Sequence, residues 1–146
     1  MSPKKAPGDF HAALALREVV FIEEQAVPPD LERDEFDQDA FHVLAWEGMH
    51  PVGTGRLVEL SAPPEGCTGK WGRIGRMAVV SYSRGKGIGR MILEALEAEA
   101  RTREMTGIKL HAQIHAMGFY EAMGYVRCGE EFEEAGIPHC EARKEL

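Results

Sequence analysis

The chain lacks long hydrophobic runs, an excess of basic residues and any dense set of cysteines. Its longest unbroken apolar stretch is the five residues Ala12 to Leu16. A transmembrane helix needs about 20, so no membrane span is expected. The opening residues, Met1 to Pro7, carry lysines with no apolar stretch behind them; residues 1–8 read as a frayed tail, not a secretory signal. Basic residues number 17 against 24 acidic, a net charge of −7. Nucleic-acid binders normally present a basic surface, so no nucleic-acid partner is expected. The cysteines are Cys67, Cys128 and Cys140, odd in number and widely spaced, with no Cys-x-x-Cys pair. That argues against a disulfide framework or a zinc site and for reduced thiols in a cytoplasmic protein. The histidine pair at i and i+4, His111 and His115, falls on an expected strand and not on a helix, so no metal is expected.

What is present suits one compact domain, residues 9–146. The sequence has 146 residues, 44% of them hydrophobic, and a chain of that length buries roughly 70% of its unfolded surface. It has no internal repeat. Helical and strand periodicities alternate, which implies a mixed α/β sheet protein. Asp9 can cap a helix whose stripe Ala12, Ala15, Leu16, Val19 and Val20 carries it to about Glu24. From Glu23 to Asp39 there are eight carboxylates and one arginine, read as a loop with a helical turn that could attract a cation. Strands are expected at 41–47, 52–60, 72–80, 108–115, 125–132 and 139–146, with turns at Gly48 to Pro51 and Glu133 to Pro138. Gly53 and Gly55 inside the second strand suggest a bulge or a close approach by another backbone or a ligand. A helix follows from Ile88, with Glu97–Arg101 and Glu99–Arg103 as i,i+4 pairs on its wet side. A shorter one covers 116–123, its stripe formed by Ala116, Phe119, Tyr120 and Met123.

The segment Arg84-Gly85-Lys86-Gly87-Ile88-Gly89-Arg90 lies between a strand and a helix. A helix N-terminus has unpaired N–H groups and partial positive charge, glycines admit close backbone approach, and Arg84, Lys86 and Arg90 add full charges. The segment can therefore cradle a diphosphate. A Walker loop needs Ser or Thr after Gly-Lys, and a dinucleotide loop counted from Gly85 needs glycine where Arg90 stands; both spacings fail.

Arg-x-x-Gly-x-Gly after the apolar run Met77 to Val80 does fit a known pattern. It resembles the acetyl-coenzyme A loop of the GNAT N-acetyltransferases. Ala116-Met117-Gly118-Phe119-Tyr120-Glu121-Ala122-Met123-Gly124-Tyr125 is similar to a second motif of that superfamily, in the same order. Val20 to Val27, Asp37, His42, Val52 to Leu57, Gly129 to Phe132 and Gly136 to His139 resemble its small ElaA-like or YjcF-like subgroup. Three residues before Ala116, where many members have asparagine, this chain has Gln113.

The resemblance implies a single α/β (α+β) domain: a mixed, mostly antiparallel twisted sheet of six to seven strands flanked by about four helices. It implies a gap between the strand ending at Val80 and the strand starting at Ile108. Acetyl-coenzyme A would lie there, its pantetheine arm on Met77 and Val79, an amide near Ala78 or Val79 on the thioester oxygen, and its diphosphate on Arg84, Gly85, Lys86, Gly87, Ile88, Gly89 and Arg90. Tyr120 is then the candidate proton donor to the leaving thiolate, because a phenol can donate at neutral pH. Candidate bases for the attacking amine are Glu23, Glu24, His42, His111, His115 and His139, with Glu24, His42 and His111 also candidates for substrate binding. The absence of an appended domain favours a small-molecule amine. A non-catalytic acyl-coenzyme A sensor remains the alternative reading. The C-terminal strand pair offers an edge through which a homodimer could form.

Overall fold

The computed structural model describes residues 3–4, 9–25 and 40–146. Most of the acidic segment, 26–39, therefore lies outside the described residues, as does most of the expected tail. Seven strands form one sheet in the order β1-β2-β3-β4-β5-β7-β6: β1 (Pro3–Lys4), β2 (Phe41–Glu47), β3 (His50–Glu59), β4 (Trp71–Val79), β5 (Gly107–Gln113), β6 (Val126–Glu134) and β7 (Ile137–Glu145). Among the described residues three α-helices accompany it, α1 (Asp9–Arg17), α2 (Ile88–Thr102) and α3 (Met117–Ala122). The sheet is mixed and mostly antiparallel, as the resemblance implies; β4 and β5 alone run parallel among its neighbours.

That parallel pair positions the site. Its ladder runs from Trp71 opposite Gly107 to Ile74 opposite Leu110 and stops there, although β4 continues to Val79 and β5 to Gln113. The cause lies on the other side of β4. Arg56 faces Gly75 and Thr54 faces Ala78, so Arg76 and Met77 together oppose Gly55. This is a β-bulge, with Arg76 at φ +52, and a bulge bends and twists its strand. Past it, β4 turns away from β5 and a gap opens.

Gly53 and Gly55 are explained by helix packing, not by a ligand. A Cβ on Gly53 would stand 2.7 Å from Ile92 Cδ1, and one on Gly55 2.8 Å from Ile92 Cγ2 and from Leu96 Cδ1. The bare backbone of β3 lets α2 lie against the sheet, where Ile88, Ile92, Leu93, Leu96 and Ala100 join Val43, Leu57, Ile74, Ile108 and Leu110 in the core.

The first helix ends at Glu24 as its stripe suggests, but its last seven residues, Glu18–Glu24, wind as a π-helical turn. Its closing bond is Gln25 N–H to Val20 C=O, 3.1 Å, and such wider turns recur at functional sites. Glu97 corrects the sequence reading. It is buried at 3% exposure, accepting from Tyr125 OH at 2.6 Å and from Lys144 Nζ at 3.1 Å, because β7 and the residue before β6 bring two donors over α2. Glu99–Arg103 forms as expected, 2.7 Å. Of the C-terminal strands, β7 is interior and β6 is the edge. That edge carries Glu130, Glu131 and Glu133 and an irregularity between Cys128 and Phe132, features that discourage strand pairing between chains.

Candidate active site

The gap between β4 and β5 widens into a cleft of about 650 Å³. Met77, Ala78 and Val79 line one wall, Gln113 and His115 the other, and Tyr120 of α3 faces in between them. Glu24, Gln25 and Arg84 stand at the cleft as well, and so do His111, Glu134 and His139.

Tyr120 is buried, its ring edge-on to Phe119 and Tyr125 at centroid distances of 5.0 and 6.0 Å. Burial pushes its phenol up to about 12. It therefore stays a neutral O–H donor across the physiological range. Its neighbour Tyr125 is raised as well, by burial and by its bond to Glu97, but that hydroxyl is already committed.

The glycine loop sits at the N-terminus of α2. Gly85 and Gly87 both have φ +80 and no atom within 4 Å of a built Cβ, so glycine is required there by conformation, not by crowding. Among the described residues no side chain caps the helix. Its first internal bond is Met91 N–H to Gly87 C=O, 3.1 Å, which leaves the N–H groups of Ile88, Gly89 and Arg90 without a partner inside the helix. The Ile88 side chain points the other way, into the core at 2% exposure, so only its amide is available. Lys86 and Arg90 are exposed and pair with Glu47 and Glu94 at 3.3 and 2.8 Å.

Arg84 is turned from the loop toward the cleft. Its Nη1 and Nη2 donate to the two oxygens of Glu24 at 2.7 and 2.9 Å, and its Nε donates to the Val79 carbonyl at 2.9 Å. The guanidinium holds the Glu24 carboxyl below its ordinary range. Alongside, the amides of Gln25 and Gln113 exchange two hydrogen bonds, 3.3 and 3.1 Å, tying the π-helical turn to the end of β5.

A second group lines the same cleft. His111 Nδ1 lies 2.9 Å from Glu134 Oε1 and 3.0 Å from Arg73 Nη2. Glu134 Oε2 lies 3.7 Å from His139 Nε2, and the Phe132 ring is stacked on His139 and edge-on to His111. The His111 hydrogen bond, ahead of the nearby His139 and Arg73, draws the Glu134 carboxyl down to about 2. The two-residue turn Ala135–Gly136, with φ +52 and +77, sets Glu134 opposite Ile137; two positive φ values are the mark of a tight hairpin turn.

Of the residues expected from sequence, Met77, Ala78, Val79, Arg84, Tyr120, Glu24, His111, His115 and His139 gather around this cleft. His42 does not. It is buried on β2, opposite Arg56 and two strands from β4. The Glu23 side chain lies outside the described part of the structure. Arg73, Gln25 and Phe132 were not singled out, and Glu134 only as part of an acidic cluster. The one signal for Arg73 was polar alternation within a strand, which any solvent-facing residue would give.

Residues 11–146 match the family described as acetyltransferase (GNAT) domain. The chain belongs to the GNAT acetyltransferase family. It is 37% identical to the uncharacterized N-acetyltransferase YjcF of Bacillus subtilis, over 91% of this chain and 90% of that one. It is 30% identical to protein ElaA of Escherichia coli, over 94% and 88%. The crystal structure of ElaA superposes with a TM-score of 0.79, covering 97% of this chain and 93% of that one at 28% identity. An acyl-CoA N-acyltransferase from Pseudomonas aeruginosa gives 0.79 over 99% of both chains at 29% identity. This GNAT chain is thus an acyltransferase with the acyl-CoA N-acyltransferase fold.

Proposed function

We propose that the protein transfers the acetyl group of acetyl-coenzyme A to a primary amine of a small molecule by direct attack on the thioester, within a catalytic unit spanning residues 9–146 of a cytoplasmic protein. The observation that carries this reading is the parting of β4 from β5 beyond Ile74 and Leu110, with Tyr120 in the resulting cleft. The β4 edge from Met77 to Val79 has backbone groups there that β5 leaves unpaired, suited to an extended pantetheine arm. The amides of the Gly85–Arg90 loop suit a diphosphate. An N–H near Ala78 or Val79 would donate to the oxygen that becomes an anion in the tetrahedral intermediate, a contribution of roughly 2.7–4 kcal/mol in other acyl-transfer enzymes. Tyr120 would donate to the departing thiolate. Its burial keeps the phenol in its protonated, donor form at neutral pH.

The test is calorimetry with coenzyme A, ATP and NAD, followed by thiol release from acetyl-coenzyme A over a panel of primary amines. The expected result is binding of coenzyme A in preference to ATP and NAD and amine-dependent release. Binding without release for any amine would favour a sensor over an enzyme, and preference for ATP or NAD would overturn the reading.

A further inference from the structure

We infer that the acceptor's ammonium group docks between Glu134 Oε2 and His139 Nε2, and that His139 Nε2 takes its proton; the inference rests on the acyl-transfer reading above.

The argument starts from a tautomer. His139 Nδ1 stands 2.6 Å from the Ile137 carbonyl oxygen. A carbonyl only accepts, so Nδ1 carries a hydrogen, and a neutral imidazole protonated there has its lone pair at Nε2. That lone pair lies 3.7 Å from Glu134 Oε2, which is itself only an acceptor. Two acceptors that close are complementary to a group that donates to both. A primary ammonium, with three N–H bonds, is such a group; a hydroxyl, with one, is not.

The other oxygen of Glu134 is already spent. Oε1 meets His111 Nδ1 at 2.9 Å and Arg73 Nη2 at 3.7 Å. These partners keep the carboxyl ionised well below neutral pH. Arg73 also places positive charge at the Oε1 end, which directs an incoming cation to the Oε2 end. Phe132 holds both rings, stacked on His139 at 6.1 Å and edge-on to His111 at 5.0 Å. His139 is 7% exposed, and the surface it retains lines the cleft that Tyr120 shares. Among the described residues, the remaining charged or titratable groups around that cleft are the Arg84–Glu24 pair, Arg76 and His115, so among them Glu134 is the carboxylate not forked to an arginine.

The protons balance as follows. The ammonium gives one proton to His139 Nε2, and the freed nitrogen lone pair forms the N–C bond to the thioester carbon. As the C–S bond breaks, Tyr120 supplies a proton to sulfur, and the second nitrogen proton returns to Tyr120. The products are an amide, a thiol and one proton released from His139 to solvent.

Two measurements on the full chain test this. In the first, imidazole nitrogen NMR follows His139 at pH 8 with n-butylamine and with tetramethylammonium, which has no N–H. The expected outcome is the Nδ1–H tautomer in the free protein and a shift of the Nε2 resonance with butylamine alone. A doubly protonated His139, or an equal response to both cations, would overturn the inference. In the second, Glu134→Gln should raise the amine KM about tenfold or more while kcat changes little. His139→Asn, which keeps a donor for the Ile137 carbonyl, should lower kcat about 100-fold and remove the acid limb of the pH profile. Both variants should bind acetyl-coenzyme A as the wild type does. If the wild type fails to bind it, the acyl-transfer reading fails; if binding holds and these amine effects are missing, this inference alone fails.

Discussion

Tyr120 and Tyr125 sit five positions apart, both buried, with ring centroids 6.0 Å from each other. Their hydroxyls have opposite fates. That of Tyr125 is bound to Glu97 at 2.6 Å, and Glu97 in turn holds Lys144. That of Tyr120 opens on the cleft. The two carboxylates differ in the same way. Glu97 is enclosed with donors on both oxygens, whereas Glu134 has one oxygen in a network and the other turned to a cavity. A buried polar group whose partners are complete stabilises the fold; one left with spare capacity beside a cavity is available for chemistry.

The largest effect should come from breaking the enclosed network. Glu97→Ala would leave the Lys144 ammonium, 21% exposed at its side chain, without its counter-charge. Removing one partner of a buried pair costs about 3–5 kcal/mol, so the urea midpoint should fall steeply. The rate per folded molecule should stay near that of the wild type. A variant as stable as the parent would remove Glu97 from the set of structural anchors.

Next is the tyrosine pair itself. Tyr120→Phe should lower kcat by about 100-fold, the usual scale for losing a positioned proton donor, with little change in stability because no hydrogen bond is lost. Tyr125→Phe should do the reverse, costing about 1–2 kcal/mol for the lost hydrogen bond to Glu97, whose Oε2 keeps Lys144 at 3.2 Å, and sparing the rate. Parallel urea melts and steady-state assays on the two variants separate the roles. Equal behaviour in both assays would erase the distinction.

The sequence carries one side of this comparison better than the other. The motif around Phe119 and Tyr120 and the glycine spacing from Arg84 to Gly89 are local patterns, legible because each is held by neighbouring residues. Strand periodicity likewise locates β2 to β7 to within a few residues. Glu97, one turn from Arg101, looks in sequence like any solvated helix residue; only Tyr125 and Lys144, brought over α2 by the tertiary fold, enclose it. The group Arg73, His111, Glu134 and His139 draws on four strands, and β7 enters the sheet between β5 and β6. Nothing in local periodicity announces that order, so His139 was one of six equal candidates and Arg73 was none.

A smaller effect is expected at the cleft mouth. Arg84 directs three of its five N–H donors at Glu24 and the Val79 carbonyl, so a phosphate must compete with Glu24 for it. Glu24→Gln removes the charge that holds the fork. Both side chains are partly exposed, 44% and 39%, and such pairs are worth only about 0.2–1 kcal/mol. Coenzyme A should therefore bind up to about fivefold more tightly to the variant at low salt, by calorimetry, and the gain should shrink as salt rises. Weaker binding would mean that Glu24 helps to hold the cofactor, not to delay it.

The finest test uses pH. Glu134 has a folded value of about 2 against an ordinary 4.5. A depressed carboxyl stabilises the fold above its unfolded value and loses that contribution as pH falls through the folded one. Glu134→Gln has no such dependence. The stability gap between wild type and variant should accordingly be full above about pH 4.5 and close progressively toward pH 2, read as the difference in urea midpoints. The side chain is 37% exposed, so the gap is small, but its direction is fixed. A gap that widened on acidification would place the proton on the wrong partner and undo the assignment of Glu134 as the lasting anion of the cleft.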